Sequence, residues 1–157
     1  MPPRPLTSGE IALARDIFGD AVDYTQVRIC CRKWIFFQPR HVVMAPMGWM
    51  HFHPRGDLYC EDFSSASLSL RGLFIHEMVH IWQAQQRGRW YLPLMRHPWA
   101  RYAYHLRPGW TLARYGLEQQ AEIVRHYWLL KQGFPVAGAP SVEAYRAILP
   151  FAAVKEQ

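Results

Sequence analysis

Residues 70–87 read LRGLFIHEMVHIWQAQQR, and the reading of this stretch decides the fold. Leu73, Phe74, Met78 and Ile81 fall at helical intervals and supply an apolar face for packing. The preceding DFSSASLS offers Ser65, Ser67 and Ser69 as N-caps, and Gly88 is a C-terminal stop. Within this helix stands His76-Glu77-Met78-Val79-His80. Four-residue spacing puts both imidazoles one turn apart on one face, within reach of a single ion at about 2.0–2.1 Å from each nitrogen. Glu77 lies beside them without having to bind the ion, which suits a general base for an activated water. The pattern alone is a weak marker, so its context matters.

That context is a second helix over residues 117–132, LEQQAEIVRHYWLLKQ, ending at Gly133. Its Leu117, Ala121, Val124, Trp128 and Leu129 form an apolar face expected to pack on the first helix. Glu118 and Glu122 are also four apart and share a face, as needed for one carboxylate on the metal and one bracing a ligating histidine through its second nitrogen. Glu118 is read as the ligand and Glu122 as the brace. Two neutral imidazoles and one carboxylate suit one Zn2+ per chain with one position open. The bland alternative is a pair of satisfied core histidines and two solvent-facing glutamates.

Around this pair the chain reads as one α+β domain covering residues 1–157. Thr7 and Glu10 stand at capping-box spacing before GEIALARDIFG, a short amphipathic helix ended by Gly19. VRICCRKWIFF, HVVMA and WMHFHP are rich in β-branched and aromatic residues and predict a small antiparallel sheet, the last two strands joined by a tight turn. Residues 89–112 carry Pro93, Pro98 and Pro108 among aromatics and arginines and predict an irregular, functional excursion. Ser141 is placed to cap a last helix, VEAYRAIL, before Pro150.

Composition narrows the function classes. Half the residues are hydrophobic and 19% are charged, which excludes intrinsic disorder. No apolar run is long enough to span a bilayer, and the start lacks a secretory signal's apolar core, so the chain is expected to be cytoplasmic when made. Cys30, Cys31 and Cys60 fit neither a disulfide framework nor a cysteine zinc site and are expected to be thiols. The net charge of +6 is unevenly spread: no acidic residue stands between Asp23 and Asp57, or between Glu77 and Glu118. In the second gap Arg87, Arg89, Arg96, Arg101, Arg107 and Arg114 accumulate. Such stretches attract phosphate, anionic lipid or acidic peptides, or are simply solvated faces. No nucleic-acid motif is present, and specific nucleic-acid recognition is not expected.

The HExxH helix followed by an ExxxE helix resembles the gluzincin branch of zinc metallopeptidases. The strings LTSGEIALARDIFGDAVDY, FIHEMVHIWQAQ and YGLEQQAEIVRHY are similar, over residues 6–134, to the small Vgr-related metallopeptidases of bacteria and to metallopeptidase domains associated with type VI secretion spike proteins. This resemblance implies a zincin-like fold and peptide hydrolysis, with His76, His80 and Glu118 on zinc and Glu77 as base. It also implies a peptide or protein substrate, with a secretion apparatus as partner and route of export. An oxyanion-stabilising donor is wanted as well, and Tyr104 is singled out from Tyr102, Tyr104, His105 and Tyr115, all just upstream of the third ligand. His51 and His53 project from the same side of a strand, as a second metal pair or, the stronger reading, a solvated edge pair. An exposed edge there would let an extended substrate pair with the backbone. The competing function is a non-catalytic zincin-fold basic module that binds an anionic partner.

Overall fold

A computed structural model describes residues 1–95 and 101–156. Two helices dominate it: α2, Leu68–Arg87, and α4, Leu117–Lys131, which pack against each other more extensively than any other pair of elements. Helix α2 starts where Ser67 Oγ accepts the Leu70 amide at 3.3 Å and ends at Gly88, whose φ of 92° ordinary side chains rarely adopt. The start of α4 lacks a hydroxyl cap. Instead Gln119 folds back so that its Oε1 accepts the Gly116 amide at 3.0 Å.

Helix α1, Ser8–Phe18, begins with the capping box anticipated from Thr7 and Glu10. The Glu10 carboxylate does more than cap. It is buried, accepts two hydrogen bonds from Arg4 at 2.8 and 2.9 Å, and accepts the Phe63 amide at 2.9 Å. One fully partnered carboxylate thereby ties the N-terminal segment, α1 and the turn before α2 together. Phe52, Phe63 and Phe74 then stack in series, with centroids 5.2 and 5.5 Å apart, and join the sheet region to α2.

The sheet differs from expectation. Strands β1, Arg28–Cys30, and β2, Trp49–His51, are three residues each and run parallel, with Ile29 opposite Met50. Among the described residues antiparallel pairing survives only as single bridges on the flanks, Arg4 with Ile29 and Met44 with His51. Residues 31–37 leave the sheet after Cys30, and Pro39 and Pro46 cannot donate to a ladder. The connection to β2 exceeds the dozen or so residues a parallel return requires. His51 is hydrogen-bonded to Met44 on one side while Cys30 accepts the Phe52 amide on the other, so β2 offers no open edge there for an extended substrate.

The excursion after α2 contains a short helix that sequence reading did not anticipate, α3, Tyr91–Met95, with Pro93 in its first turn where a missing amide costs nothing. Arg96 and Pro98 lie outside the described residues. Helices α5, Val142–Ile148, and α6, Ala152–Lys155, close the base of the domain, where Phe151 meets both Phe18 and Trp82 edge-on at 4.9 and 5.1 Å. No helix among the described residues is long and apolar enough to cross a membrane. The three cysteines are free thiols.

Candidate metal centre

His76 and His80 project from α2 toward Glu118 in the first turn of α4, and all three are buried. His76 Nε2 lies 3.3 Å, and His80 Nε2 3.2 Å, from the same atom, Glu118 Oε2. A tetrahedral ion held at about 2.0–2.1 Å from each donor separates its donors by about 3.3 Å, so these spacings match one small cation. No other group of three or more potential ligands lies this close together among the described residues.

The far side of each imidazole explains why Nε2 faces inward. His76 Nδ1 meets Glu122 Oε1 at 2.7 Å, the position anticipated for a brace. His80 Nδ1 meets Gln83 Oε1 at 2.8 Å. A carboxylate and an amide oxygen accept, so each Nδ1 carries a proton and, in the neutral ring, each Nε2 presents its lone pair. Gln83 is held in turn, its Nε2 donating to the Leu117 carbonyl at 3.1 Å and to Gln120 Oε1 at 3.0 Å. Gln120 donates to the Tyr115 carbonyl at 2.8 Å, which leaves its amide oxygen, not its nitrogen, facing Gln83.

Two lone pairs and a carboxylate oxygen converging in a buried space repel one another unless positive charge lies among them. The donor set therefore fits a cation. The titration of His76 reflects the same demand: burial opposes protonation, but Glu118, Glu122 and the nearby Glu77 outweigh it and push the pKa up to about 9. Glu77 is itself buried on α2, next to the first histidine.

Behind Glu122 the hydrogen bonds continue. Glu122 Oε2 lies 3.3 Å from His126 Nε2, His126 Nδ1 lies 2.6 Å from the Tyr104 hydroxyl, and that hydroxyl lies 2.7 Å from the hydroxyl of Tyr145 on α5. Burial alone would raise the Glu122 pKa, yet His126, His76 and Arg125 hold the carboxyl well below its ordinary range. Burial and the Tyr145 hydroxyl push the Tyr104 phenol above its ordinary value. The Tyr104 hydroxyl, singled out from the sequence as an oxyanion donor, is thus linked to the Nδ1 side of His76 through His126 and Glu122. Tyr102 lies nearer, its ring almost parallel to that of His76 with centroids 6.2 Å apart. A cavity of about 500 Å³ opens beside Glu122, His126 and Tyr104.

His51 and His53 are buried, and so are not a solvated pair. His51 packs on Trp34 at 5.2 Å, while His53 Nδ1 accepts the Arg55 amide at 3.0 Å. Neither belongs to a three-donor cluster among the described residues. Sequence reasoning missed Gln83, His126 and Tyr145. The first two stand three and four residues beyond His80 and Glu122, so helical spacing carried a signal for them. Tyr145 comes from a separate helix and had none.

An α+β domain whose two longest helices converge a buried His-His-Glu set is the class these features define: a candidate single-ion metal-binding domain. The chain belongs to the family of the VgrG2b effector domain. It is 37% identical to the solved effector domain of Pseudomonas aeruginosa VgrG2b, with a TM-score of 0.77 and coverage of 94% of this chain and 84% of that one. It is also 44% identical, over 147 residues and 88% of its length, to the type VI secretion system spike protein VgrG2b of the same species. The chain spans 14% of that spike protein's length. No protein-family profile matches it.

Proposed function

We propose that this domain is a zinc-dependent peptidase of zincin-like fold, delivered as an effector by a type VI secretion apparatus. The observation that carries the reading is the convergence of His76 Nε2 and His80 Nε2 on one Glu118 oxygen, with Glu77 beside them on the same helix. Two imidazoles and one carboxylate favour zinc among the divalent ions and leave a coordination position for chemistry. Zinc bound there would supply Lewis-acid polarisation of a peptide carbonyl and lower the pKa of water toward neutrality.

The chain's own residues supply the rest. Glu77 accepts the proton of the attacking water at its carboxylate and returns it to the leaving amine. Glu122 and Gln83 keep the two imidazoles in the Nδ1–H tautomer so that both Nε2 atoms stay available to the ion. His126, Tyr104 and Tyr145 hold Glu122 in place, which makes Tyr104 a positioning residue. Delivery rests on the relatives, one named as a spike protein and one as an effector domain. The substrate is a peptide or protein.

The test compares wild type with Glu77→Gln. Wild type is expected to carry about one zinc per chain by elemental analysis and to cleave members of a broad peptide library. Glu77→Gln should keep the zinc and lose hydrolysis by several orders of magnitude. Unchanged hydrolysis in Glu77→Gln, or no zinc in folded wild type, refutes the proposal.

A further inference from the structure

The loop between β1 and β2 carries a feature that neither the metal centre nor the core uses. Residues 32–40 read RKWIFFQPR, and the side chains of Phe36 and Phe37 are 84% and 65% exposed, with Trp34 at 39%. The two phenylalanine rings touch edge to face, centroids 4.9 Å apart, and contribute nothing to the buried core. Large aromatics displayed to water at one point of a surface mark an interaction site.

The loop is built to present them. Gln38 is buried at its base, donating to the His51 and Val42 carbonyls at 2.9 and 2.8 Å and accepting the Trp34 amide at 2.8 Å. The Gln38 amide closes a turn on the Ile35 carbonyl at 3.1 Å, and Lys33 donates to the Phe36 carbonyl. The backbone is therefore anchored to β2 while Phe36 and Phe37 point outward and Trp34, lying against His51, keeps part of its ring exposed beside them. Their exposure belongs to an ordered loop, and little conformational entropy remains to be lost when they bind.

Charge decides between partners. Arg32, Lys33, Arg40 and His41 are all exposed around the aromatic tip, and the sequence from residue 24 to residue 56 contains no carboxylate. His53 feels the same field: partial desolvation together with Lys33, Arg55 and Arg40 holds it below the ordinary histidine range. Protein interfaces deplete lysine around their apolar centres, whereas aromatics ringed by lysine and arginine suit the boundary between headgroups and acyl chains. A short exposed turn also offers too little area for a stable protein interface but enough for shallow insertion.

We propose that the loop over residues 32–40 inserts Trp34, Phe36 and Phe37 into the headgroup boundary of an anionic lipid bilayer, with Arg32, Lys33 and Arg40 on the lipid phosphates. The proposal is independent of the peptidase reading, since it uses none of the residues of the metal centre.

The test is co-sedimentation of the full chain with vesicles of phosphatidylcholine alone and with about one-third phosphatidylglycerol added. Wild type is expected to bind the anionic vesicles, and Glu77→Gln to bind equally well. Phe36→Ser with Phe37→Ser should weaken binding at least ~10-fold. Gln at Arg32, Lys33 and Arg40 together should weaken it roughly 100-fold on anionic vesicles. Both sets lie on the surface and should leave the melting temperature and zinc content unchanged. Tryptophan emission should shift to the blue on binding, by less in Trp34→Phe. The proposal is overturned if wild type shows no preference for anionic vesicles, if binding survives the double serine variant, or if that variant instead abolishes a dimer seen by sedimentation.

Discussion

Gln83→Met tests the tautomer argument directly. Methionine fills nearly the same volume but cannot accept from His80 Nδ1 at 2.8 Å or donate to the Leu117 carbonyl and Gln120 Oε1 at 3.1 and 3.0 Å. A buried polar group stripped of its partner costs about 1–3 kcal/mol, and the groups left behind share one network, so the loss in folding stability should be about 2–4 kcal/mol. The effect on the metal is separate. Without an acceptor at Nδ1 the His80 proton is free to move to Nε2, where it donates to Glu118 Oε2, 3.2 Å away, and competes with the ion. Loss of such a supporting partner weakens metal affinity roughly 10- to 100-fold, or about 1.4–2.8 kcal/mol. Competition against a chromophoric chelator measures the affinity, and thermal melts with and without excess zinc measure the stability. Gln83→Glu keeps an acceptor and should bind zinc within about tenfold of wild type, while Gln86→Met, exposed on the same helix, should change neither quantity. A Gln83→Met protein that melts lower yet binds zinc within about twofold of wild type would mean that Gln83 only packs, and the tautomer reasoning fails.

The other positions of the centre separate by role. Glu118→Gln should lose zinc more severely than Glu122→Gln, for which a drop of roughly 10- to 100-fold is expected in the same titration; the reverse order would mean that the ion sits one turn further along α4. Tyr104→Phe removes the hydroxyl's bonds to His126 and Tyr145 and should cost about 1–3 kcal/mol in a denaturant melt, with kcat reduced less than about tenfold; near-total loss of kcat at unchanged zinc content would instead make Tyr104 a group that touches substrate. Stripping the metal by dialysis against a chelator should lower the melting temperature, since a ligand at 100 times its Kd stabilises by about 2.7 kcal/mol, and zinc should restore it. Phe74→Ala, in the stacked series with Phe63, should cost about 3–5 kcal/mol by calorimetry, and a loss under about 1 kcal/mol would contradict its place in the core.

Helices α1, α2, α4 and α5 were legible in the sequence because each carried its signals within a few residues: the Thr7–Glu10 box, Ser67 before α2, Ser141 before α5, Gly88 and Gly133 as stops; the four- and five-residue α6 and α3 are too short to show a helical period and were not. The spacing of His76, His80, Glu118 and Glu122 was legible for the same reason, since a helix turns sequence distance into spatial distance. The sheet was not. Its strands are three residues long, and their partners are chosen by the path of residues 31–48, which no local pattern encodes. A period-two reading put His51 and His53 on one side of a strand, yet could not foresee that residues 32–40 would fold back and bury His51 against Trp34. Tyr145 escaped notice similarly, because its contact with Tyr104 crosses from α5.

The two acid-free stretches, indistinguishable by charge count, separate once the aromatics around them are placed. In the second, Arg107 and Arg114 both lie over Trp110, at 4.6 and 5.1 Å from its ring centroid, and Arg87 lies over Tyr91 at 5.4 Å. Guanidinium groups stacked on indole and phenol rings give up part of their hydration and mobility to the fold. Their charge remains exposed, but each guanidinium already has a ring of its own stretch as partner. In the first stretch Arg32, Lys33 and Arg40 are exposed, and the neighbouring rings of Phe36 and Phe37 face solvent as well, while Trp34 is half covered against His51. Aromatic and cation there are not spent on each other. The same composition thus performs opposite work in two places: around Trp110 it consolidates the excursion that leads into α4 and Glu118, and at residues 32–40 it leaves both an apolar tip and a positive field available to a surface that offers acyl chains and phosphate together.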